Sequence, residues 1–185
     1  MNLPLITVAL VNFIIIGLLP RFFFRADGKF NLRWWATAAP FFAGPVLLVL
    51  GLFGILTPEY FDYQLAREIL GGALFSGSLF LIGLTVGTNR VPLALWHQEN
   101  DAPKNIVTYG AYRLIRHPFY SSFLTAMLGI ALVFPHVLTG LLFLYMCFAL
   151  NLTAAREERR LSESAFGKEY REYLARSGRF LPRLF

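Results

Sequence analysis

Residues 116–160 read RHPFYSSFLTAMLGIALVFPHVLTGLLFLYMCFALNLTAAREERR. Two apolar runs, 119–134 and 137–155, are separated only by Pro135 and His136. A link that short predicts a tight hairpin of two antiparallel helices. At 1.5 Å rise per residue, His117 stands roughly 27 Å above the turn at Pro135 and Glu157 roughly 33 Å above it. The two residues therefore end within about a helical turn of one another in height, on axes roughly 8–10 Å apart. The motif Arg116-His117-Pro118-Phe119-Tyr120 and the pair Glu157-Glu158 are predicted to share one mouth of the hairpin.

The rest of the chain sets the class. At 185 residues one domain is expected, spanning 1–185. Apolar residues make up 56% and charged residues 15%, and the mean hydropathy is +0.54. That balance is unlike a water-soluble domain. Three further apolar runs, roughly 3–19, 34–57 and 66–88, are long enough to cross a hydrocarbon core about 30 Å thick. The expected fold is all-α: a polytopic membrane protein with five transmembrane helices. A three-helix membrane part would occupy 1–88. A part that binds cofactor and carries the chemistry would occupy 89–185.

Charge placement predicts the orientation. Arg21, Arg25, Lys29 and Arg33 follow the first run. Arg90, Lys104, Arg113 and Arg116 follow the third, and the tail from Arg156 onward holds the remainder. Of the 17 Lys and Arg residues, only Arg67 lies near the link between runs two and three. Alternate loops carrying nearly all the positive charge predict an outside N-terminus and a cytosolic C-terminus. The net charge of +6 is then explained without nucleic acid. The first run lacks a basic leader and a small-residue cleavage pattern, so it is expected to stay as a helix.

Several local features refine this outline. Trp34 and Trp35 open the second run as interfacial aromatics do. Gly44-Pro45 predicts a kink there, because proline removes a backbone donor. Gly83 and Gly87, four apart on one helical face, predict close approach of a neighbouring helix or of a ligand. Leu161, Ala165, Phe166, Tyr170, Tyr173 and Leu174 recur at helical spacing, which predicts an amphipathic helix over roughly 156–175 at the cytosolic surface. Residues 89–118 form the longest polar connection. Their aromatic and apolar content argues against disorder.

The chemistry available at the shared mouth is limited. An imidazole can donate and accept, and a tyrosine can hydrogen-bond and stack. Glu157 and Glu158 suit ribose hydroxyls, an ammonium or a sulfonium. Flanked by Arg156, Arg159 and Arg160, they could equally make helix-surface ion pairs. His97, His117 and His136 lack ligand spacing, and a lone Cys147 excludes a cysteine-based zinc site, so no metal is expected. No G-x-G-x-x-G loop follows a strand, and no Gly-x-Ser-x-Gly elbow is present.

Tyr109-Gly110-Ala111-Tyr112-Arg113, Arg116-His117-Pro118-Phe119-Tyr120, Glu157-Glu158-Arg159-Arg160-Leu161, Phe166-Gly167, Tyr170 and Leu181-Pro182 follow in order. This set resembles the isoprenylcysteine carboxyl methyltransferase family in its broad sense, together with phospholipid methyltransferases. The likeness covers about 95–182. It implies an integral membrane enzyme that takes S-adenosylmethionine from the cytosol. Carried over by position, it points to His97, Lys104, Asn105, Ile106, Val107, Tyr112, His117, Pro118 and Tyr120 for the cofactor. Glu157, with Glu158 and Arg156 beside it, is implied as the catalytic group. The family's prenyl-substrate enzymes carry an arginine where this chain has Thr153, which puts a carboxylate or prenylated-protein acceptor in doubt. A membrane lipid or lipidic substrate is implied, handled by a monomer or small homo-oligomer. Two other readings fit the same segment: an NADPH-dependent reductase of the sterol reductase type, and a non-catalytic membrane scaffold.

Overall fold

Helix boundaries follow caps written in the chain. The Asn2 side chain accepts from the Leu5 amide, with Pro4 in the first turn, and opens α1, Leu3–Gly17. Asn31 accepts from the Trp34 amide and opens α2, Leu32–Thr37. A short 3₁₀ turn, Ala39–Phe42, leads into α3, Ala43–Leu52. Then follow α4, Gln64–Thr88, a second 3₁₀ turn, Gly110–Arg113, and α5, Pro118–Val133. His136 opens α6, Val137–Ser162, by accepting from the Leu138 amide, while the Thr139 hydroxyl accepts from the His136 amide. The last helix is α7, Gly167–Arg176. The computed structural model describes residues 2–18, 23–25, 27–59, 62–88 and 106–183. Among them the structure is helical, with β pairing confined to two isolated bridges, Phe24–Phe30 and Ile115–Gly178.

Three helical stretches are long and apolar enough to cross a membrane: Leu32–Leu52, Gln64–Thr88 and Val137–Ser162. α1 and α5 are apolar but shorter, with 15 and 16 residues. Large apolar side chains face outward along α1, α3, α4 and α6, among them Ile14, Val46, Phe80, Leu144 and Phe148, while α5 is the most enclosed of the helices. Exposed apolar surface on that scale marks a lipid-facing exterior, and the chain is an integral membrane protein.

The interior is organised around α4 and α5. A side chain at Gly71 would collide with Val133, and one at Gly129 would come within 2.7 Å of the Phe75 ring, so the two backbones approach closely. Beneath them Phe13, Phe41 and Phe123 stack at centroid spacings of 4.4 and 4.3 Å, joining α1 and the 3₁₀ turn to α5. Met127, Ile130, Phe134, Met146 and Leu150 complete the packed centre. A buried polar relay crosses this apolar region. The Asn12 amide donates to the Phe75 carbonyl at 3.0 Å. The Ser78 hydroxyl lies 2.8 Å from the Ser122 carbonyl and 3.3 Å from Asn12 Oδ1. No lipid tail can replace those partners. Asn12→Leu is expected to cost about 1–2 kcal/mol, read as a lower melting temperature in detergent. An unchanged melting temperature would show that the relay does not tie α1 to α4.

Three sequence expectations need correction. The break in the second run falls at the 3₁₀ turn with Pro40, not at Gly44-Pro45. Pro45 lies in the first turn of α3, where its missing donor disturbs little. Gly83 and Gly87 have open space where a Cβ would stand, so no helix of the described structure packs there. The close approach instead uses Gly71 and Gly129. Finally, no single helix covers 156–175. α6 runs on through Glu157 and Glu158 to Ser162, and α7 begins at Gly167. Ser164 makes the break, with its hydroxyl close to the Leu161 carbonyl and accepting from the Phe166 amide. A side chain at Gly167 would strike the Ser162 carbonyl.

Candidate active site

The site begins with the backbone that delivers His117. Pro118 occupies the first turn of α5, where its ring fits the helical φ and no donor is lost. The segment before it is clamped by the C-terminal strap. The Arg116 amide donates to the Gly178 carbonyl at 2.8 Å, His117 to Arg179 at 3.1 Å, and Gly178 to Leu114 at 3.0 Å. The Ser121 hydroxyl adds a 2.7 Å bond to the Phe180 carbonyl. Gly178 admits no side chain, because a Cβ would collide with the Leu181 carbonyl. α7 braces the same region from the other side, where the Tyr173 hydroxyl donates to the Tyr112 carbonyl at 2.5 Å.

On this frame His117, Tyr120, Glu157 and Glu158 meet. The imidazole stacks on the Tyr120 ring at 5.3 Å with the planes 4° apart. The Tyr120 hydroxyl donates to Glu157 Oε1 at 2.7 Å. His117 Nδ1 is 3.5 Å from Glu157 Oε2, and Nε2 is 3.3 Å from Glu158 Oε1. Nε2 is buried and makes no hydrogen bond, with the Glu158 carboxylate as its ion-pair neighbour.

The two neighbouring glutamates are committed differently. Arg116 Nε donates to Glu158 Oε1 at 2.9 Å. Arg179 Nε and Nη2 reach Glu158 at 3.1–3.2 and 2.5 Å. Arg116 also bonds the Ser177 carbonyl, and Arg179 bonds Asn151 Oδ1 at 2.7 Å. Glu158 is thus the hub that joins α6, the His-Pro segment and the C-terminal strap. Glu157 meets no guanidinium at ion-pair distance among the described residues; its side chain is 19% exposed against 9% for Glu158. Its one hydrogen bond comes from Tyr120.

The surrounding electrostatics follow. Hydrogen bonding to Glu158 holds the Arg179 guanidinium more firmly protonated than usual. Burial pushes the Tyr173 phenol up to about 12. Tyr170 is raised by burial first and by the Glu158 carboxylate second. Both phenols therefore remain neutral donors at physiological pH.

Not every sequence candidate joins this cluster. Arg156 makes no contact with His117 or Tyr120 and instead lines a neighbouring cleft of about 110 Å³ with Arg33, Ala36, Thr37, Thr153, Glu157 and Arg160. Tyr112 is half-buried and held through its backbone, and Ile106 and Val107 are half-buried ahead of it. His97, Lys104 and Asn105 lie outside the described residues. Arg116 as a ligand of Glu158, Arg179, Asn151 and Ser177 were not singled out from sequence. Their roles depend on the tail folding back across α6, and neither spacing nor composition announces that.

Comparison with known proteins adds the family. Residues 66–169 match the phospholipid methyltransferase family model. Two curated rice relatives, each described as a probable protein-S-isoprenylcysteine O-methyltransferase, come from Oryza sativa subsp. indica and subsp. japonica. Both are 28% identical to this chain over 130 residues, covering 69% of it and 67% of the relative. No solved structure matches significantly. The matched segment takes in nearly all of α4, the whole of α5 and α6, His117, Tyr120 and both glutamates, and the chain belongs to the phospholipid methyltransferase family.

Proposed function

We propose that this protein transfers a methyl group from S-adenosylmethionine to a lipidic or small apolar acceptor at the cytosolic membrane face. One observation carries the reading. A buried imidazole whose Nε2 makes no hydrogen bond, stacked on Tyr120, stands beside a carboxylate free of ion pairing with arginine. Burying a polar nitrogen without a hydrogen bond is costly unless a ligand supplies one. The residues fit the donor: polar groups that can meet an adenosyl or amino-acid moiety sit beside a carboxylate that suits a sulfonium. His117, Pro118, Tyr120, Tyr112, Ile106 and Val107 would hold it, with His97, Lys104 and Asn105 expected to contribute.

When bound, S-adenosylmethionine supplies a methyl on a positively charged sulfur, which is left as a neutral thioether once the acceptor's lone pair has taken the methyl carbon. The chain's work is to position and to exclude water. Glu157 opposes positive charge near the reacting atoms and can take the acceptor's proton when that atom is an amine nitrogen. Tyr120 orients Glu157 through the 2.7 Å hydrogen bond. Glu158 stays out of the reaction, because both its oxygens already answer to Arg116 and Arg179. Arg116, committed to Glu158, is not available to an NADPH phosphate, so the reductase reading would have to draw on other arginines.

Five membrane crossings, with the N-terminus outside and the tail in the cytosol, put this site at the inner leaflet, where the basic loops belong. Acceptors would enter from lipid, and a monomer or small homo-oligomer suffices. Calorimetry on the purified protein is expected to show saturable binding of S-adenosylhomocysteine, weakened about tenfold or more in His117→Ala. NADPH binding without S-adenosylhomocysteine binding would replace this reading with the reductase one.

A further inference from the structure

The cleft beside the His117 cluster is built from two helix faces. Thr153, Arg156, Glu157 and Arg160 share one face of α6 at spacings of three and four residues, and α2 sets Arg33 and Thr37 opposite them. Its cations differ from the other arginines nearby. Arg116 and Arg179 are both spent on Glu158. Among the described residues, the guanidiniums of Arg33, Arg156 and Arg160 make no hydrogen bond or ion pair. Three positive charges therefore face a single carboxylate, Glu157, which is engaged by Tyr120. Arg156 and Arg160 also stand four apart on one helix, where like charges destabilise. An arrangement of this kind is relieved by a bound anion.

Membrane anchoring alone would explain basic residues at a helix end. It would not explain a concave cleft, nor a carboxylate in its wall, which opposes attraction to anionic lipid. Thr153, the residue one turn before Glu157, offers only a hydroxyl, so the positive charge has to come from the three arginines. The space of about 110 Å³ suits a compact head such as a phosphate or carboxylate. Glu157 is common to the cleft and to the His117–Tyr120 pair, so an anion seated here would bring the adjoining part of its molecule to Glu157.

We propose that Arg33, Arg156 and Arg160 form an anion subsite that holds the phosphate or carboxylate of an amphiphilic methyl acceptor beside Glu157. The role of that molecule as acceptor rests on the methyltransferase reading above; the anion subsite itself does not. The test uses the full chain in uncharged maltoside micelles, titrated by calorimetry with decyl phosphate, decanoate, decanol and inorganic phosphate, with empty micelles as blank. Decyl phosphate and decanoate are expected to saturate one site. Arg33→Gln, Arg156→Gln and Arg160→Gln should each weaken decyl phosphate binding about tenfold. Decanol should show no saturable site, and inorganic phosphate should bind about a hundredfold more weakly, because it lacks the apolar chain. Equal binding of decyl phosphate by the three variants and the unaltered protein would overturn the proposal. So would saturation by decanol, or inorganic phosphate binding as tightly as decyl phosphate. S-adenosylhomocysteine is titrated in parallel as the control for folding. If the unaltered protein fails to bind it, the methyltransferase reading falls. If it binds and the arginine variants change nothing, only the anion subsite falls.

Discussion

Glu157→Gln is expected to lower methyl transfer by about a hundredfold to ten-thousandfold while leaving the fold intact. The amide is nearly the same size as the carboxylate, and its oxygen can still accept the hydrogen bond that Tyr120 donates. What disappears is the negative charge next to His117 and at the wall of the arginine-lined cleft. Stability should hardly move, because Glu157 meets no guanidinium at ion-pair distance among the described residues. The measurement is transfer of a labelled methyl group to extracted lipid, set beside the melting temperature in the same detergent. Full activity in Glu157→Gln would remove Glu157 from the chemistry. Lost activity with a much lower melting temperature would make it a structural residue instead.

Glu158→Ala should produce the reverse pattern, a large loss of stability. Its carboxylate is the counter-charge for Arg116 and Arg179, whose side chains are 11% and 32% exposed. Removing one member of a buried ionic group leaves the others uncompensated, at a cost of about 3 kcal/mol once partial solvent access to Arg179 is allowed for. For a chain of this size that corresponds to a drop in melting temperature of roughly 6–12 °C. The strap from Ser177 to Phe180 should loosen with it, since Arg116 and Arg179 connect that strap to α6. The double variant Glu158→Ala/Arg179→Ala should recover part of the loss, because one stranded charge goes with its partner. A melting temperature within a degree or two of the unaltered protein would refute the hub role of Glu158.

These two adjacent residues show how far a linear reading reaches. That Glu157 and Glu158 return to the level of His117 follows from chain length between motifs, because helix rise is constant. Which of the two is free and which is locked does not follow. Neighbours on a helix point about 100° apart, and the direction each takes matters only once something stands there. Here Tyr120 meets one carboxylate, and the tail arginine Arg179 meets the other. Arg179 lies 21 residues beyond Glu158, across a break that the spacing of Leu161, Phe166 and Tyr170 does not betray. Ser164 and Gly167 make that break through a local hydroxyl bond and a steric limit at the Ser162 carbonyl. Apolar periodicity carries neither signal. The glycines teach the same lesson. Gly83 and Gly87 have the better spacing, yet Gly71 and Gly129 make the close contact, because a small residue brings helices together only where another helix passes.

By itself the sequence determined that this is a helical membrane protein, and its ordered motifs pointed to the methyltransferase family. Both are properties of long stretches: apolar length measured against a bilayer, and charged residues at the ends of the runs. Only the tertiary structure decided which arginines are neutralised and which are left facing a cleft. Arg116 and Arg179 close on Glu158, whereas Arg33 and Arg160 come together across two helices separated by most of the chain. Electrostatic pairing acts over a few ångströms, so it is settled by where the folded backbone sets each charge down and not by the order in which the charges occur.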